Sequence, residues 1–96
     1  MAGMRAGLDS QRRDDTLVIT ASGAWTIASA RDLDDRLRQL QPAGAHAAEF
    51  DLSGLDTLDT AGAWLLERTK LAFDHAGIPT AMLGVKPMHE PMLNKI

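Results

Sequence analysis

The chain has 96 residues and a formal net charge of −3, a length typical of one small domain and a charge that argues against a general nucleic-acid-binding surface. Apolar residues make up 45% of it and it has no cysteine, so disorder is not indicated and a disulfide framework and a thiolate metal site are excluded. It has no signal-peptide core and no apolar run long enough to span a membrane, so we expect a cytoplasmic protein.

The first half of the chain predicts a hairpin followed by a helix. A weak strand over residues 5–12 precedes a turn at Asp14 and Asp15, and residues 16–21 form a stronger strand rich in β-branched residues. A helix is then predicted from its apolar spacing, with Thr26 or Ser29 as its cap and an approximate capping box of Ser29 and Asp32. Its inward residues are Ile27, Ala30, Leu33, Leu37 and Leu40, and its solvated acids are Asp32, Asp34 and Asp35.

The second half of the chain repeats the alternation of strand and helix. We predict a strand over residues 47–52, a loop over 53–57, a helix from Thr60 to Ala76 capped by Gly77, and a last strand over 78–85. On this helix, Leu65, Thr69, Ala72 and Ala76 are predicted to share one face, with Leu66 and Phe73 beside them. Helices between strands imply parallel pairing. The tail from residue 86 looks like the beginning of a further helix, which suggests that the natural chain continues past Ile96.

The start of the second helix is the predicted functional site. Asp59 and Thr60 are both good N-cap residues, and the small residues Ala61 and Gly62 leave the backbone there poorly shielded. A bare helix N-terminus at the carboxyl end of a strand is where α/β proteins gather anions, phosphates and partners. The competing interpretation is that Thr60 and Asp59 only cap the helix.

The chain resembles the STAS domain family in the order of its elements and in two motifs, Asp51-Leu52-Ser53 and Asp59-Thr60-Ala61-Gly62. This family includes anti-sigma-factor antagonists, cytoplasmic tails of sulfate transporters and the small cytoplasmic subunit of Mla-type lipid-transport ABC systems. The resemblance implies one STAS-like (SpoIIAA-like) α/β domain over residues 1–96. Its mixed four-stranded sheet would carry helices mainly on one face, in the order β-β-α-β-α-β plus the start of a C-terminal helix.

The resemblance also bears on regulation. In the antagonists, the hydroxyl residue just before the glycine is phosphorylated by a partner kinase, and that position is Ala61 here, which has no hydroxyl. Thr60 keeps a hydroxyl one residue earlier and is the remaining candidate for phosphorylation. The Asp-Thr-Ala-Gly sequence looks more like the lipid-transport branch, whose STAS domain contacts the permease and its ATPase. Residues 23–26 look like versions of this domain that are fused to the permease, so we expect a domain excised from a larger transporter subunit.

Other chemistry is weakly signalled. Asp51, Asp56 and Asp59 flank the site, but no lysine or glycine-rich phosphate loop accompanies them. The three histidines show no metal-ligand spacing, and each is predicted to lie on the surface. No nucleophile–base pair is apparent. We therefore predict no catalytic residues, no metal and no cofactor.

The two tryptophans are interpreted differently. Trp25 is predicted to pack at a strand-to-helix corner. Trp64, one turn into the second helix, is either a core residue or an interface anchor, since tryptophan is common in both places.

The resulting prediction is a non-enzymatic regulatory or assembly module of a bacterial Mla-type lipid transporter, at the cytoplasmic face of the inner membrane. It would dock on the permease or its ATPase through Asp59, Thr60, Ala61, Gly62 and Trp64. Two alternatives stay open: an anti-sigma-factor antagonist switched by phosphorylation, and a nucleotide- or anion-binding domain. A homodimer is also open.

Overall fold

The architecture is a mixed sheet with two main helices. The structure, a computed structural model, describes residues 6–40, 42 and 44–93. In chain order the elements are β1 (Gly7–Arg13), β2 (Thr16–Trp25), a 3-10 turn (Ile27–Ser29), α1 (Ala30–Arg38), β3 (Ala47–Leu58), α2 (Thr60–His75), β4 (Thr80–Leu83) and α3 (Glu90–Leu93). The sheet order is β1-β2-β3-β4. Strand β1 is antiparallel to β2, and the other pairs are parallel, which confirms the predicted fold class.

Strand β3 is longer than predicted. The expected loop over residues 53–57 is wrong, because these residues continue β3 and pair with the end of β2. Two irregularities in the β2–β3 register each place one extra residue on β3, as bulges do. The buried residues of β3 alternate at Ala48, Phe50 and Leu52 but then fall three apart at Leu55 and Leu58, so the second half of the strand lacks the alternation that identifies a strand in a sequence.

The core lies between the sheet and helices α1 and α2. Strand β2 contributes Leu17, Ile19 and Ala21, strand β3 contributes Phe50, Leu52 and Leu55, and the helices contribute Leu33, Leu37, Leu65, Leu66 and Phe73. Trp25, at the end of β2, is fully buried and its indole N–H donates to the carbonyl of Gly7 at 3.1 Å. The predicted packing role of Trp25 is confirmed.

The helix ends differ in how well the sequence predicted them. No side-chain cap bond is formed by Thr26 or Ser29, so the capping box is wrong; the chain enters α1 through the 3-10 turn instead. The cap at Gly77 is confirmed, with φ of +84°. The N–H groups of Gly77 and Ile78 donate to the carbonyls of Asp74 and Phe73, the bond pattern of a Schellman motif.

The predicted face of α2 is buried only in part. Leu65 and Thr69 are buried, as are Leu66 and Phe73 beside them, but Ala72 and Ala76 are exposed, because α1 ends at Arg38 and does not cover them. Among the described residues, no helix combines the length and apolarity that crossing a membrane requires.

Candidate functional site

Asp59 joins two helix starts with one carboxylate. Its Oδ1 accepts the backbone N–H of Gly62 at 3.0 Å, which caps α2, and its Oδ2 accepts the N–H of Ile27 at 2.9 Å. The first is the predicted N-cap, a type of bond worth about 1 kcal/mol. The second connects residues that are 32 positions apart and holds the 3-10 turn against α2.

This double role sets the electrostatics of the site. Partial burial pushes the pKa of the Asp59 carboxyl up, but hydrogen bonds from the N–H groups of Gly62, Ile27 and Ala61 outweigh it, so this pKa lies below its ordinary value. The carboxylate is therefore ionised at neutral pH. An anion that approaches this helix start would meet the negative charge of Asp59. It would also find the N–H group of Gly62 already hydrogen-bonded to that carboxylate, which argues against the nucleotide- or anion-binding alternative.

Gly62 lets α2 start directly against the end of β2. A Cβ at this position would lie 2.8 Å from the carbonyl carbon of Trp25, closer still to its oxygen, and 2.9 Å from Cδ1 of Leu58. Side chains essentially never approach backbone that closely. The absence of a side chain at Gly62 is therefore what allows the start of α2 to approach β2 this closely.

An exposed apolar concavity lies over this helix start. It is lined by Ile27, Asp59, Thr60, Ala61 and Trp64. Trp64 is 56% exposed and Ile27 is 72% exposed. The interpretation of Trp64 as a core residue is therefore wrong. The sequence analysis did not identify Ile27 as a surface residue, because Ile27 continues the apolar spacing of Ala30, Leu33 and Leu37 and was therefore predicted to face inward.

The structure brings the predicted site residues together, and all of them except Gly62 are at least partly exposed to solvent. Thr60 is exposed, Ala61 is half-buried, and Asp59 and Trp64 flank them. Gly62 is buried beneath the helix start and is a support for the surface rather than part of it. Trp64 is held by the guanidinium of Arg68, which lies 5.0 Å from the ring centroid, a cation–π arrangement.

The remaining acids do not converge on this site. Asp51 accepts the N–H and the hydroxyl of Ser53 at 3.0 and 2.7 Å, and these bonds hold its pKa below its ordinary value. Asp56 lies 3.9 Å from the amine of Lys86. Within residues 6–40, 42 and 44–93, no group of three or more potential ligand side chains is arranged to hold a metal ion.

One histidine departs from the prediction. His46 and His75 are exposed as expected, but His89 is only 4% exposed. Neither of its ring nitrogens has a hydrogen-bond partner. The prediction was wrong because the fold of the tail around α3, to which His89 belongs, could not be foreseen from its composition.

Comparison with known proteins supports the architecture. Among solved structures, the fold is similar to a STAS-domain antisigma-factor antagonist from Rhodobacter sphaeroides, with TM-score 0.69 and 19% identity over 82% of this chain and 86% of that one. It is also similar to the anti-sigma factor antagonist SpoIIAA in its unphosphorylated form, with TM-score 0.67 and 14% identity over 91% of this chain and 79% of that one.

A third similar structure is a membrane protein. The murine Solute Carrier 26 family member A9 anion transporter matches with TM-score 0.71 and 13% identity, over 86% of this chain but 14% of that one. At these identities the likeness establishes the fold alone. No curated protein sequence matches this chain.

The sequence also matches a family model, that of the STAS domain, over residues 8–96. This match covers both motifs and all of the elements from β1 to α3 except the first residue of β1. The chain therefore belongs to the STAS domain family.

Proposed function

We propose that this STAS domain is a non-enzymatic docking module whose contact surface is the exposed concavity at the start of α2. The observation that carries the proposal is the pair of Ile27 and Trp64, two large apolar side chains that are both exposed and line one concavity over a helix start of small residues. Tryptophan is enriched among the residues that dominate binding energy in protein interfaces. Asp59 bonds the backbone of both Ile27 and Gly62, so the segments that carry Ile27 and Trp64 are fixed relative to each other before binding.

The role of Asp59 in this surface is indirect. Both carboxylate oxygens already accept backbone N–H groups of this chain. A partner lysine or arginine would have to compete with those bonds, so we assign Asp59 to positioning. Contact with the partner is assigned to Thr60, Ala61 and Trp64, together with Ile27.

For the partner we propose the permease or the ATPase of an Mla-type lipid transporter, at the cytoplasmic face of the inner membrane. Two observations support a transporter setting. Ala61 stands where the antagonists of the family carry the phosphorylated hydroxyl, and a domain of this fold occupies a small part of the chain of a known anion transporter. Docking would favour one state of the transporter only if the two states bind this surface with unequal affinity.

The natural setting of the domain can be measured first. Immunoblotting of soluble and membrane fractions from the source cells gives the size and location of the natural protein. The proposal expects a membrane-associated protein, either as a much larger band or as a small band that co-purifies with a permease and its ATPase. A small band found only in the soluble fraction, without those subunits, would contradict the transporter setting.

The contact surface is then tested with the purified ATPase and permease. Thr60→Glu places a charge at the exposed helix start and is expected to weaken binding about tenfold or more. Ser10→Glu is the matched control, because it adds the same charge at an exposed position of β1 and should leave binding unchanged. Circular dichroism establishes that both variants are folded. Equal affinity of folded Thr60→Glu and the unsubstituted chain would refute the docking surface.

An anti-sigma-factor antagonist is the second candidate, and two of the similar structures described above favour it, since each is described as such an antagonist. In this chain the exposed hydroxyl beside the missing acceptor is Thr60. Incubation with the cognate kinase and mass spectrometry distinguishes the two candidates. Phosphate on Thr60, lost in Thr60→Ala, would establish the switch, whereas the transporter proposal expects no phosphate at this residue.

A further inference from the structure

The sides of α1 and α2 that adjoin one another form a surface that extends beyond the concavity. Asp34 of α1 pairs with the guanidinium of Arg68 on α2, which establishes that this side of α1 is turned toward α2. Arg31 and Arg38 lie three residues before and four residues after Asp34, so they share that side. We call the surface that joins these residues to Trp64 and Ala72 the α1–α2 face.

The α1–α2 face is positive although the chain is negative. Asp34 is shared by two cations, because Nε of Arg38 lies 3.2 Å from each of its oxygens and Arg68 also binds it. The hydrogen bond from Arg68 lowers the pKa of Asp34, partial burial raises it, and Arg38 lowers it further. The pKa of Asp34 is therefore below its ordinary value. Arg31 has no ion-pair partner that the structure describes. This face carries the guanidinium groups of Arg31, Arg38 and Arg68. It carries two carboxylates, those of Asp34 and the exposed Asp35. Its charge is therefore positive, whereas the whole chain has a net charge of −3.

The same face has an apolar groove and an apolar ridge. Where α1 ends, a groove between the helices has a mainly apolar lining that also includes two arginines: Leu37, Arg38, Leu40, Pro42, Arg68, Thr69, Ala72, Phe73 and Ala76. On α2, Trp64 and Leu71 are both more than half exposed. They are seven residues apart and therefore lie on one side of α2. Anchor residues at this spacing are typical of interfaces in which an amphipathic helix is bound.

We propose that the α1–α2 face binds an amphipathic helix of the partner whose apolar side enters the groove and whose flanking acidic side chains meet Arg31, Arg38 and Arg68. The inference rests on the proposed docking function and specifies the chemistry of the partner segment. Charge complementarity selects an acidic helix over a basic one. Because Arg68 is already stacked on Trp64 and paired with Asp34, the cations at the centre of the face are held in position before binding.

The test uses two synthetic helical peptides of about 18 residues, enough to span α2 at about 1.5 Å per residue. They share leucines at helical spacing and differ only in carrying glutamate or lysine at the flanking positions. Binding is followed by the anisotropy of a fluorophore on the peptide. The glutamate peptide is expected to bind about tenfold more tightly than the lysine peptide, with a preference that shrinks between about 50 mM and about 500 mM salt.

Substitutions locate the binding. Arg38→Glu is expected to remove most of the preference for glutamate, and Ala72→Glu, which places a carboxylate in the groove, to weaken the glutamate peptide about tenfold. Arg13→Glu is the matched control, because it changes the net charge as Arg38→Glu does but lies on β1. Equal binding of the two peptides, or equal effects of Arg38→Glu and Arg13→Glu, would overturn the inference. So would a concentration-dependent dimer that Ala72→Glu abolishes, because a second copy would then occupy the face.

The two proposals fail separately. If Thr60→Glu leaves binding to the ATPase and permease intact, the docking surface at the helix start is refuted whatever the peptides show. If Thr60→Glu weakens that complex but Arg38→Glu changes neither the complex nor the peptide preference, the docking function stands and the acidic-helix inference alone is wrong.

Discussion

Gly62→Ala probes the close contact on which the candidate site is built. The new Cβ would lie 2.8 Å from the carbonyl carbon of Trp25, and ordinary contacts begin at 3.4 Å. The start of α2 would therefore have to retreat by about 0.6 Å to relieve this one contact, and further to clear the carbonyl oxygen. That retreat stretches the bond from the N–H of Asp59 to the same carbonyl, which is already 3.3 Å long.

The expected cost follows from three opposing terms. Overpacking of this kind costs about 1–3 kcal/mol, and weakening the Asp59 cap adds up to about 1 kcal/mol. Alanine is the better helix former by about 1 kcal/mol, which offsets part of the loss. We expect a net loss of about 2 kcal/mol in the free energy of unfolding, which corresponds to a fall in Tm of about 10 °C for a domain of this size.

Urea denaturation followed by circular dichroism measures this loss. Gly54→Ala is the matched control, because its Cβ would meet nothing closer than the Cβ of Ser22 at 3.2 Å, a contact that a few tenths of an ångström of movement relieves. We expect it to cost less than about 1 kcal/mol. A Gly62→Ala protein as stable as the unsubstituted chain would refute the reasoning, since α2 would then tolerate a side chain against β2.

Three further outcomes are expected. Asp59→Asn should lower stability by about 1 kcal/mol near neutral pH, measured by urea denaturation, because asparagine has one acceptor oxygen and can keep only one of the bonds from Gly62 and Ile27. Because the pKa of Asp59 is lowered in the fold, this difference is present above the unfolded pKa of about 3.9 and shrinks as the pH falls below about 4. A difference that grows in acid would contradict the capping role. His89→Leu removes two buried nitrogens without hydrogen-bond partners, so it should leave the free energy of unfolding unchanged or raise it by up to about 1 kcal/mol. A loss of stability in the same assay would contradict this prediction. Trp25→Phe should cost at least about 1 kcal/mol, because the bond to the Gly7 carbonyl and buried volume are both lost.

Local signals in the sequence predicted the order of the elements and the residues that form the candidate site. The apolar spacing of α1 and α2, the β-branched run of β2 and the glycine that ends α2 act over a few residues, so they can be read without knowledge of the fold. For the same reason Asp59 was predicted correctly as a cap, since its bond to Gly62 spans three residues. The motif around Gly62 also placed the chain in its family, which the family match over residues 8–96 confirmed.

Only the tertiary structure decided which side chains are exposed. Burial depends on which element lies opposite a residue, and that is not encoded in the spacing along one helix. Ile27 was predicted to face inward and is exposed, His89 was predicted to be exposed and is buried, and Trp64 was left open between the two. The second bond of Asp59, to a backbone group 32 residues away, exists because the 3-10 turn and the start of α2 meet at the ends of β2 and β3. The candidate surface forms only because these two segments come together in the fold. The sequence alone identified most of its residues but not their arrangement.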